Sequence, residues 1–300
     1  MEEQENDKII VQSLIGESQL PFYLSCLKSL ITFCQDRIEL QLHTDGSFSQ
    51  EDKGLIHCEL DGTMVTISDS SENKSRVLDC LQGRSNCQKV RKDSIWGIEF
   101  FDPIFAFPED PISFYLDADI LFLRPFSGLF DRKEVKNGAV FLKDTQWDAY
   151  SFRPWHMLTG KKRPQVVKGI TTGLVFWDKT AIDWDYLEWF LGEHRLHRIP
   201  EWIMPTAQAG LANRCEAKTI SSRHLPNLYP NAKILEDTFG IHLLGSYRKE
   251  WMEKLETGEN NKKENSPTVT PSFVRCFSQN IFGYSLKQMR RWSNTRLNLW

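Results

Sequence analysis

The chain has 300 residues, of which 40% are hydrophobic, 12% aromatic and 26% charged. This composition excludes disordered, collagen-like and low-complexity classes, and a chain of this length can bury a large core without a disulfide or a structural metal. The formal net charge of −3 provides no general basic field, so the sequence does not favour a nucleic-acid-binding protein.

The cysteine pattern, the first residues and the hydropathy of the chain all indicate the same cellular compartment. The seven cysteines are scattered and none is in CxxC spacing, which is typical of reduced thiols in a cytosolic protein. The acidic start MEEQENDK lacks the apolar region of a signal peptide, and no window reaches 18 uninterrupted apolar residues. The sequence predicts a cytoplasmic protein that is either free or peripheral at a membrane.

Strand and helix patterns alternate along the first half. In chain order, the patterns predict strands at 9–15, 38–43, 63–68 and 113–123, and helices at 20–34, 49–59, 73–82 and 88–98. The second half predicts strands at 139–142 and 169–177, and helices at 183–194 and 201–214. This alternation favours an α/β fold with a mostly parallel mixed sheet and flanking helices, in which ligands bind at the carboxyl ends of the strands.

The most informative stretch is Phe114–Phe122, FYLDADILF, because two carboxylates interrupt a run that otherwise resembles core. Residues two apart in a strand point to the same face, so Asp117 and Asp119 are expected to converge. Converging carboxylates repel each other, and a hard divalent cation such as Mg²⁺ or Mn²⁺ relieves that repulsion. Alternatively, the two aspartates cap a turn or pair with Arg124.

The segment YLDADILFLRPF resembles the DxD segment of GT-A-fold nucleotide-sugar glycosyltransferases, in which the motif binds Mn²⁺ or Mg²⁺ and the metal holds the donor diphosphate. A later stretch, IHLLGSYRKEW, is similar to the HxxGxxKPW segment of family-8-like members, whose histidine completes the metal shell and whose lysine contacts phosphate. His242 and Gly245 match that pattern. Arg248 stands at the lysine position and Lys249 follows it, so either cation is a candidate for the diphosphate contact.

The resemblance implies a GT-A-like catalytic domain over residues 1–255, with a nucleotide-sugar half at about 8–125 and an acceptor half at 126–255. It implies Asp117, Asp119 and His242 as metal ligands, Mn²⁺ or Mg²⁺ as the cofactor, and a UDP-sugar as the donor.

Two further segments contain the residues expected to take part in catalysis. The strand GITTGLVF resembles the acceptor-side strand of such sites, and Thr206-Ala207-Gln208 keeps the family's glutamine but has alanine where an acidic residue is common. The resemblance implies Thr172 and Gln208 as catalytic residues and a retaining reaction.

The nucleotide is expected over the first βα turns, as in other mononucleotide-binding sheets. That expectation selects Leu14 and Gly16 after the first strand and Asp45 after the second, although Asp45 also fits an ordinary turn. Ala118 and Gly245 complete the predicted donor site. Arg84 begins a basic cluster at 84–92 that either contacts the diphosphate or forms a solvated helix face.

The C-terminal region divides into a predicted polar linker at 256–271 and a basic, aromatic tail at 272–300 that contains no acidic residue. The tail either contacts anionic lipid or packs on the domain as a helix. The acceptor is expected to be a carbohydrate, a lipid-linked group or a protein. Two other functions fit the same residues: a metal-dependent nucleotidyltransferase, and an inactive sugar- or partner-binding protein, which the alanine at position 207 favours.

Overall fold

A computed structural model describes residues 8–146, 148, 150–245, 247–256 and 266–297. The strands are β1 (Ile9–Ile15), β2 (Ile38–Thr44), β3 (Val65–Asp69), β4 (Ile112–Leu116), β5 (Ile120–Phe122), β6 (Gly138–Lys143), β7 (Ile170–Asp178), β8 (Glu216–Ile220), β9 (Gly240–His242) and β10 (Phe273–Arg275). The helices are α1 (Leu20–Phe33), α2 (Gln50–Glu59), α3 (Ser70–Cys80), α4 (Ser85–Asp93), α5 (Ile95–Ala106), α6 (Arg132–Val135), α7 (Trp184–Gly192), α8 (Ile203–Ala212), α9 (Arg248–Glu256) and α10 (Ile281–Leu297).

Eight strands form one sheet in the order β10-β8-β6-β7-β4-β1-β2-β3, and β5 pairs with β9 in a separate two-stranded sheet. Four pairings of the large sheet are parallel, and three, β4–β7, β6–β7 and β8–β10, are antiparallel. The predicted mostly parallel mixed α/β sheet is therefore confirmed. Because β7 runs against its neighbours, its first residues lie at the edge where β1, β2, β4 and β6 end.

The core divides into two layers because alternate residues of a strand point to opposite faces of the sheet. On β6, Val140 and Leu142 join the apolar cluster under α1, whereas Ala139 and Phe141 join the cluster under α5, α7 and α8. Both faces are thus covered, as expected for strands that read as continuous hydrophobic runs.

The predicted helix 88–98 is wrong, because the structure has two helices that meet at Ser94. Ser94 is extended, with φ −139° and ψ 135°, so α4 ends there and α5 starts in a new direction. A buried ion pair joins the two helices: Arg91 contacts the carboxylate of Asp102 and donates to the Ser70 carbonyl at 2.8 Å. Arg91 of the predicted basic cluster therefore has a structural role, and the prediction of a solvated helix face is wrong for this residue.

The predicted single strand 113–123 is also divided. The chain leaves the large sheet after Leu116, and Ile120–Phe122 pair with β9. The short strands β8, β9 and β10 were not predicted, since each is only three to five residues long and its pairing partner is distant in sequence.

The C-terminal region packs on the domain. β10 pairs antiparallel with β8, and Tyr284 of α10 is buried against Tyr150 and Phe152. Part of the predicted linker, 257–265, and the last three residues of the tail lie outside the described residues. Within the described ranges, no helix is both long enough and apolar enough to cross a bilayer.

Candidate active site

Three side chains predicted as metal ligands lie together at the carboxyl edge of the sheet. Asp117 and Asp119 follow β4, and His242 ends β9. The pairing of β5 with β9 sets Ile120 opposite His242, and the Leu243 amide donates to the Asp119 carbonyl at 3.1 Å. A strand pair formed by residues more than a hundred positions apart thus places the histidine beside the carboxylates.

The distances within this cluster suit a small cation. One ligand atom from each of the three residues lies within 4.8 Å of the other two. His242 Nε2 is 3.1 Å from Asp119 Oδ1 and 3.8 Å from Asp117 Oδ2. The His242 side chain is 6% exposed, that of Asp119 15% and that of Asp117 30%, so the cluster opens to solvent on the side of Asp117.

Asn227 fixes the orientation and protonation of the His242 ring. The Asn227 amide nitrogen donates to the Lys143 carbonyl at 3.0 Å, which leaves its oxygen to accept from His242 Nδ1 at 2.7 Å. Nδ1 therefore carries a proton, and Nε2 faces the aspartates, where it can hold a second proton or bind a metal ion. Asn227 and His242 are both buried, so water cannot easily replace this hydrogen bond.

The charges of the cluster depend on one another. Burial and the neighbouring Asp119 carboxylate raise the pKa of Asp117. Burial alone would raise the pKa of Asp119, but His242 and Arg248 lower it. Burial alone would lower the pKa of His242, but the two carboxylates together raise it. The cluster is therefore a site that binds positive charge, as a proton or as a metal ion.

A divalent cation fits these residues. Asp119 Oδ1 is buried, and its neighbour His242 Nε2, 3.1 Å away, donates to it only when the imidazole is protonated. When Nε2 is unprotonated, as metal binding requires, both atoms are acceptors. Two acceptors at this separation need a cation between or beside them. Two carboxylates and one neutral imidazole are ligands that Mn²⁺ and Mg²⁺ accept, and the nitrogen favours Mn²⁺.

Gly173 of β7 makes room for the His242 ring. A Cβ atom at position 173 would lie 2.4 Å from Cε1 and 2.9 Å from Nε2 of His242, closer than real contacts allow. The same residue accepts a hydrogen bond from the Asp117 amide at 2.8 Å. Gly173 is thus in contact with both halves of the cluster, and a side chain there would displace the imidazole.

Arg248 is the cation beside the cluster. Its Nη2 lies 2.7 Å from Asp119 Oδ2, and its guanidinium stacks over the Phe22 ring at 4.4 Å from the ring centroid. It also donates to the Gln19 side chain. Lys249 is the next residue of α9 and is exposed to solvent. The structure therefore brings Arg248 to the cluster and leaves Lys249 outside it.

The first two βα turns lie at the same edge. Gly16 follows β1, and a Cβ there would lie 2.9 Å from Asp45 Oδ2, so the predicted nucleotide residues Gly16 and Asp45 are adjacent. Leu14 is two residues before Gly16 and is half-buried. Asp45 also accepts from the Ser47 amide at 3.0 Å, in agreement with its alternative interpretation as a turn residue.

Three other predicted donor residues lie in different surroundings. Ala118 is buried and packs in the core cluster under α1. Gly245 is exposed in the turn that precedes α9. The Arg84 guanidinium stacks over the Trp184 ring at 5.5 Å and lines a surface pocket with Asp185 and Glu188, a lining that includes none of the cluster residues. A role for these residues in donor binding stays a prediction.

Of the predicted catalytic residues, Gln208 is buried and accepts from Trp177 Nε1 at 3.3 Å, and Thr172 directly precedes Gly173. Gln208 shares a small cavity with two residues that sequence reasoning missed, Glu99 and Tyr115.

Tyr115 donates to Asp117 Oδ1 at 3.0 Å. Burial, together with Asp117 and Asp119, holds the pKa of Glu99 well above its usual value. Glu99 is one of two carboxylates, with Asp102, in the apolar run IWGIEFFDPIFA, and this interruption of the run was the sequence signal for it. Asn227 carried no recognisable signal, because its role depends on the Lys143 carbonyl from a distant strand.

No protein-family model and no curated protein matches the chain. Solved structures do match. An active-site mutant of LgtC covers 79% of this chain and 88% of its own, with a TM-score of 0.53 and 12% identity. Mouse xyloside xylosyltransferase 1 covers 75% and 88%, with a TM-score of 0.49 and 11% identity. The mannosyltransferase Ktr4p from S. cerevisiae covers 70% and 67%, with a TM-score of 0.44 and 12% identity.

The likeness to LgtC shows the fold. The chain has the GT-A fold of nucleotide-sugar glycosyltransferases, and the expected fold is confirmed.

Replacing Gly173 with alanine tests the geometry of the cluster. Because the added Cβ overlaps the His242 ring, we expect Gly173→Ala to weaken Mn²⁺ binding at least tenfold, the range seen when the supports of metal ligands are lost. Isothermal titration calorimetry with Mn²⁺ measures the affinity. Gly54→Ala on α2, where nothing lies within 4 Å of the new Cβ, is the control and should leave it unchanged. Equal affinities in the two folded variants would contradict the arrangement.

Proposed function

We propose that this protein is a metal-dependent glycosyltransferase that moves a sugar from a nucleoside-diphosphate sugar, a UDP-sugar, to a carbohydrate, lipid-linked or protein acceptor. The observation that carries the proposal is the convergence of Asp117, Asp119 and His242 at the carboxyl edge of a GT-A sheet. LgtC is described as a galactosyltransferase, and its structure aligns with 79% of this chain.

Asp117, Asp119 and His242 would hold Mn²⁺ or Mg²⁺. When bound, such an ion supplies positive charge that neutralises the donor diphosphate and acts as a Lewis acid for the departing nucleoside diphosphate. The chain's own contribution is to fix the ligands in advance: Asn227 orients the imidazole and Tyr115 orients Asp117. Little reorganisation is then needed when the donor binds.

The Arg248 guanidinium is the protein group placed to contact the diphosphate. It is 2.7 Å from Asp119 and rests on Phe22 and Gln19, which follow the first strand. Gly16 comes three residues before Gln19 in the chain, so the predicted nucleotide residues and the arginine beside the cluster both adjoin the end of β1. A nucleoside diphosphate bound at this edge would place its base near β1 and β2 and its phosphates near the cluster.

We also propose that the reaction retains the anomeric configuration, with Gln208 and Thr172 near the reacting carbon. The support is the resemblance of their segments to retaining enzymes, together with the position of Thr172 beside Gly173. Trp177 holds the Gln208 amide in one orientation. We expect proton NMR of the first product formed to show the anomeric configuration of the donor, and an inverted product would exclude retention.

Donor binding is the direct test of the function. We expect UDP to stabilise the protein only when Mn²⁺ is present, because the diphosphate binds through the metal. UDP at about 100 times its Kd should add about 2.7 kcal/mol to the free energy of unfolding. Differential scanning fluorimetry measures the shift. Asp119→Asn should abolish it, and Asp61→Asn, in an exposed turn, should keep it.

The same fluorimetry with a nucleoside triphosphate, together with an analysis of the released products, separates the alternatives. A nucleotidyltransferase would respond to a nucleoside triphosphate and release pyrophosphate, whereas a transferase should hydrolyse its UDP-sugar slowly and release UDP. An inactive binding protein would hydrolyse neither. If no nucleoside diphosphate gives a shift that depends on Mn²⁺, the transferase proposal fails.

Arg248 and Lys249 form a matched pair for testing the diphosphate contact. A charge-assisted hydrogen bond contributes about 1.5–3 kcal/mol, so Arg248→Ala should weaken Mn²⁺–UDP binding at least tenfold. Lys249→Ala should change it by no more than about twofold, as is usual for exposed positions. Calorimetry with UDP in saturating Mn²⁺ measures both variants, and binding of uridine, which has no phosphates, should not change. A larger loss in the lysine variant would assign the contact to Lys249.

A further inference from the structure

Large exposed hydrophobic side chains are concentrated on one part of the surface. Eleven are exposed among the described residues, and seven of these fall within 153–163 and 273–290. They are Trp155, Leu158, Val274, Phe277, Phe282, Leu286 and Met289. Phe282 is 80% exposed, which is unusual for a phenylalanine in a folded domain.

Three of these side chains form a stripe on α10. Phe282, Leu286 and Met289 recur at i, i+4 and i+7, so they project from one side of the helix. Tyr284 projects from the opposite side and is buried against the rings of Tyr150 and Phe152. The helix is therefore anchored to the domain by one face, and its apolar stripe faces solvent.

The two segments form one surface. α10 packs against the 3-10 turn Pro154–Met157, which carries Trp155, and the Lys168 amide donates to the Phe277 carbonyl at 3.0 Å. The buried carboxylate of Asp148 accepts from Lys287 at 2.9 Å and from Gln279. These contacts hold the exposed hydrophobic residues in fixed relative positions, and we call Trp155, Leu158, Phe277, Phe282, Leu286 and Met289 the apolar face.

The two segments that form the apolar face carry charge of one sign. The segments 149–177 and 272–300 contain ten basic residues and no acidic residue, in a chain whose net charge is −3. Arg153, Lys161, Arg163, Lys168 and Arg275 are exposed. An apolar surface flanked by exposed cations is the composition of helices that lie in the interface of anionic membranes.

We propose that the apolar face docks on an anionic membrane surface, with the hydrophobic side chains at the level of the acyl chains and the flanking cations at the headgroups. Aromatic and long aliphatic side chains suit this depth, and the two segments contribute no carboxylate that would repel anionic lipid. Docking does not depend on the transferase proposal.

The apolar face includes a residue of the segment that connects β6 to β7. The segment between β6 and β7 carries Trp155 and starts at the carboxyl edge of the sheet, where the Lys143 carbonyl accepts from Asn227. If the proposed function holds, docking would favour an acceptor carried by the membrane.

Co-sedimentation of the full chain with vesicles tests the docking. We expect binding to vesicles of phosphatidylcholine mixed with phosphatidylserine, little binding to phosphatidylcholine alone, and a decrease as salt is raised. The combined variant Phe282→Ser, Leu286→Ser, Met289→Ser should bind at least tenfold more weakly. The pair Arg163→Glu and Arg275→Glu should do the same. All the replaced side chains are exposed, so the variants should keep the melting temperature of the parent.

Leu55→Ser with Met64→Ser is the matched control, because both side chains are exposed hydrophobics outside the apolar face. This variant should bind vesicles as the parent does. A parent chain that stays in the supernatant with anionic vesicles overturns the proposal, as does an equal loss in the control. Sedimentation velocity gives a further outcome: a dimer that the triple serine variant dissociates would assign the face to a second copy of this chain and overturn lipid docking. UDP binding, measured in parallel, reports separately on the proposed function.

Discussion

The architecture of the candidate site depends on bringing two carboxylates and an imidazole within a few ångströms of one another at the edge of the sheet. Carboxylates this close repel, and partial burial strengthens the repulsion. Positive charge must balance them, and the structure supplies part of it through Arg248, 2.7 Å from Asp119. The rest can come from a proton on His242, whose pKa the two carboxylates raise, or from a metal ion beside Asp119 Oδ1.

The surrounding fold maintains this arrangement by specific contacts. The β5–β9 pairing carries His242 to the aspartates, Asn227 fixes its tautomer, and the absence of a side chain at Gly173 gives the ring its space. Gly173 and Asn227 are both buried, and β5 and β9 are separated by more than a hundred residues in the chain. The site is therefore held by the protein interior, and its open side is left for a ligand.

Local pattern predicted much of the first half. β1 was predicted with its observed limits, and α1 to within one residue, because both have clear strand or helix periodicity. The prediction failed at 88–98, where Ser94 breaks the helix and the Arg91–Asp102 pair fixes the new direction. It failed again at 113–123, where the apolar run continues but the chain changes sheets. In both places a tertiary contact overrode a continuous local pattern.

The sequence by itself determined the alternation of strands and helices, the carboxylate pair after an apolar strand, and a basic, acid-free C-terminal region, because these are properties of neighbouring residues. Only the tertiary structure decided that His242 reaches the aspartates, that Arg248 rather than Lys249 lies beside them, and that Glu99 and Asn227 belong to the site. It also decided that α10 buries Tyr284 and exposes the opposite stripe. These outcomes depend on contacts between residues far apart in the chain, and spacing along the sequence carries no information on such distances.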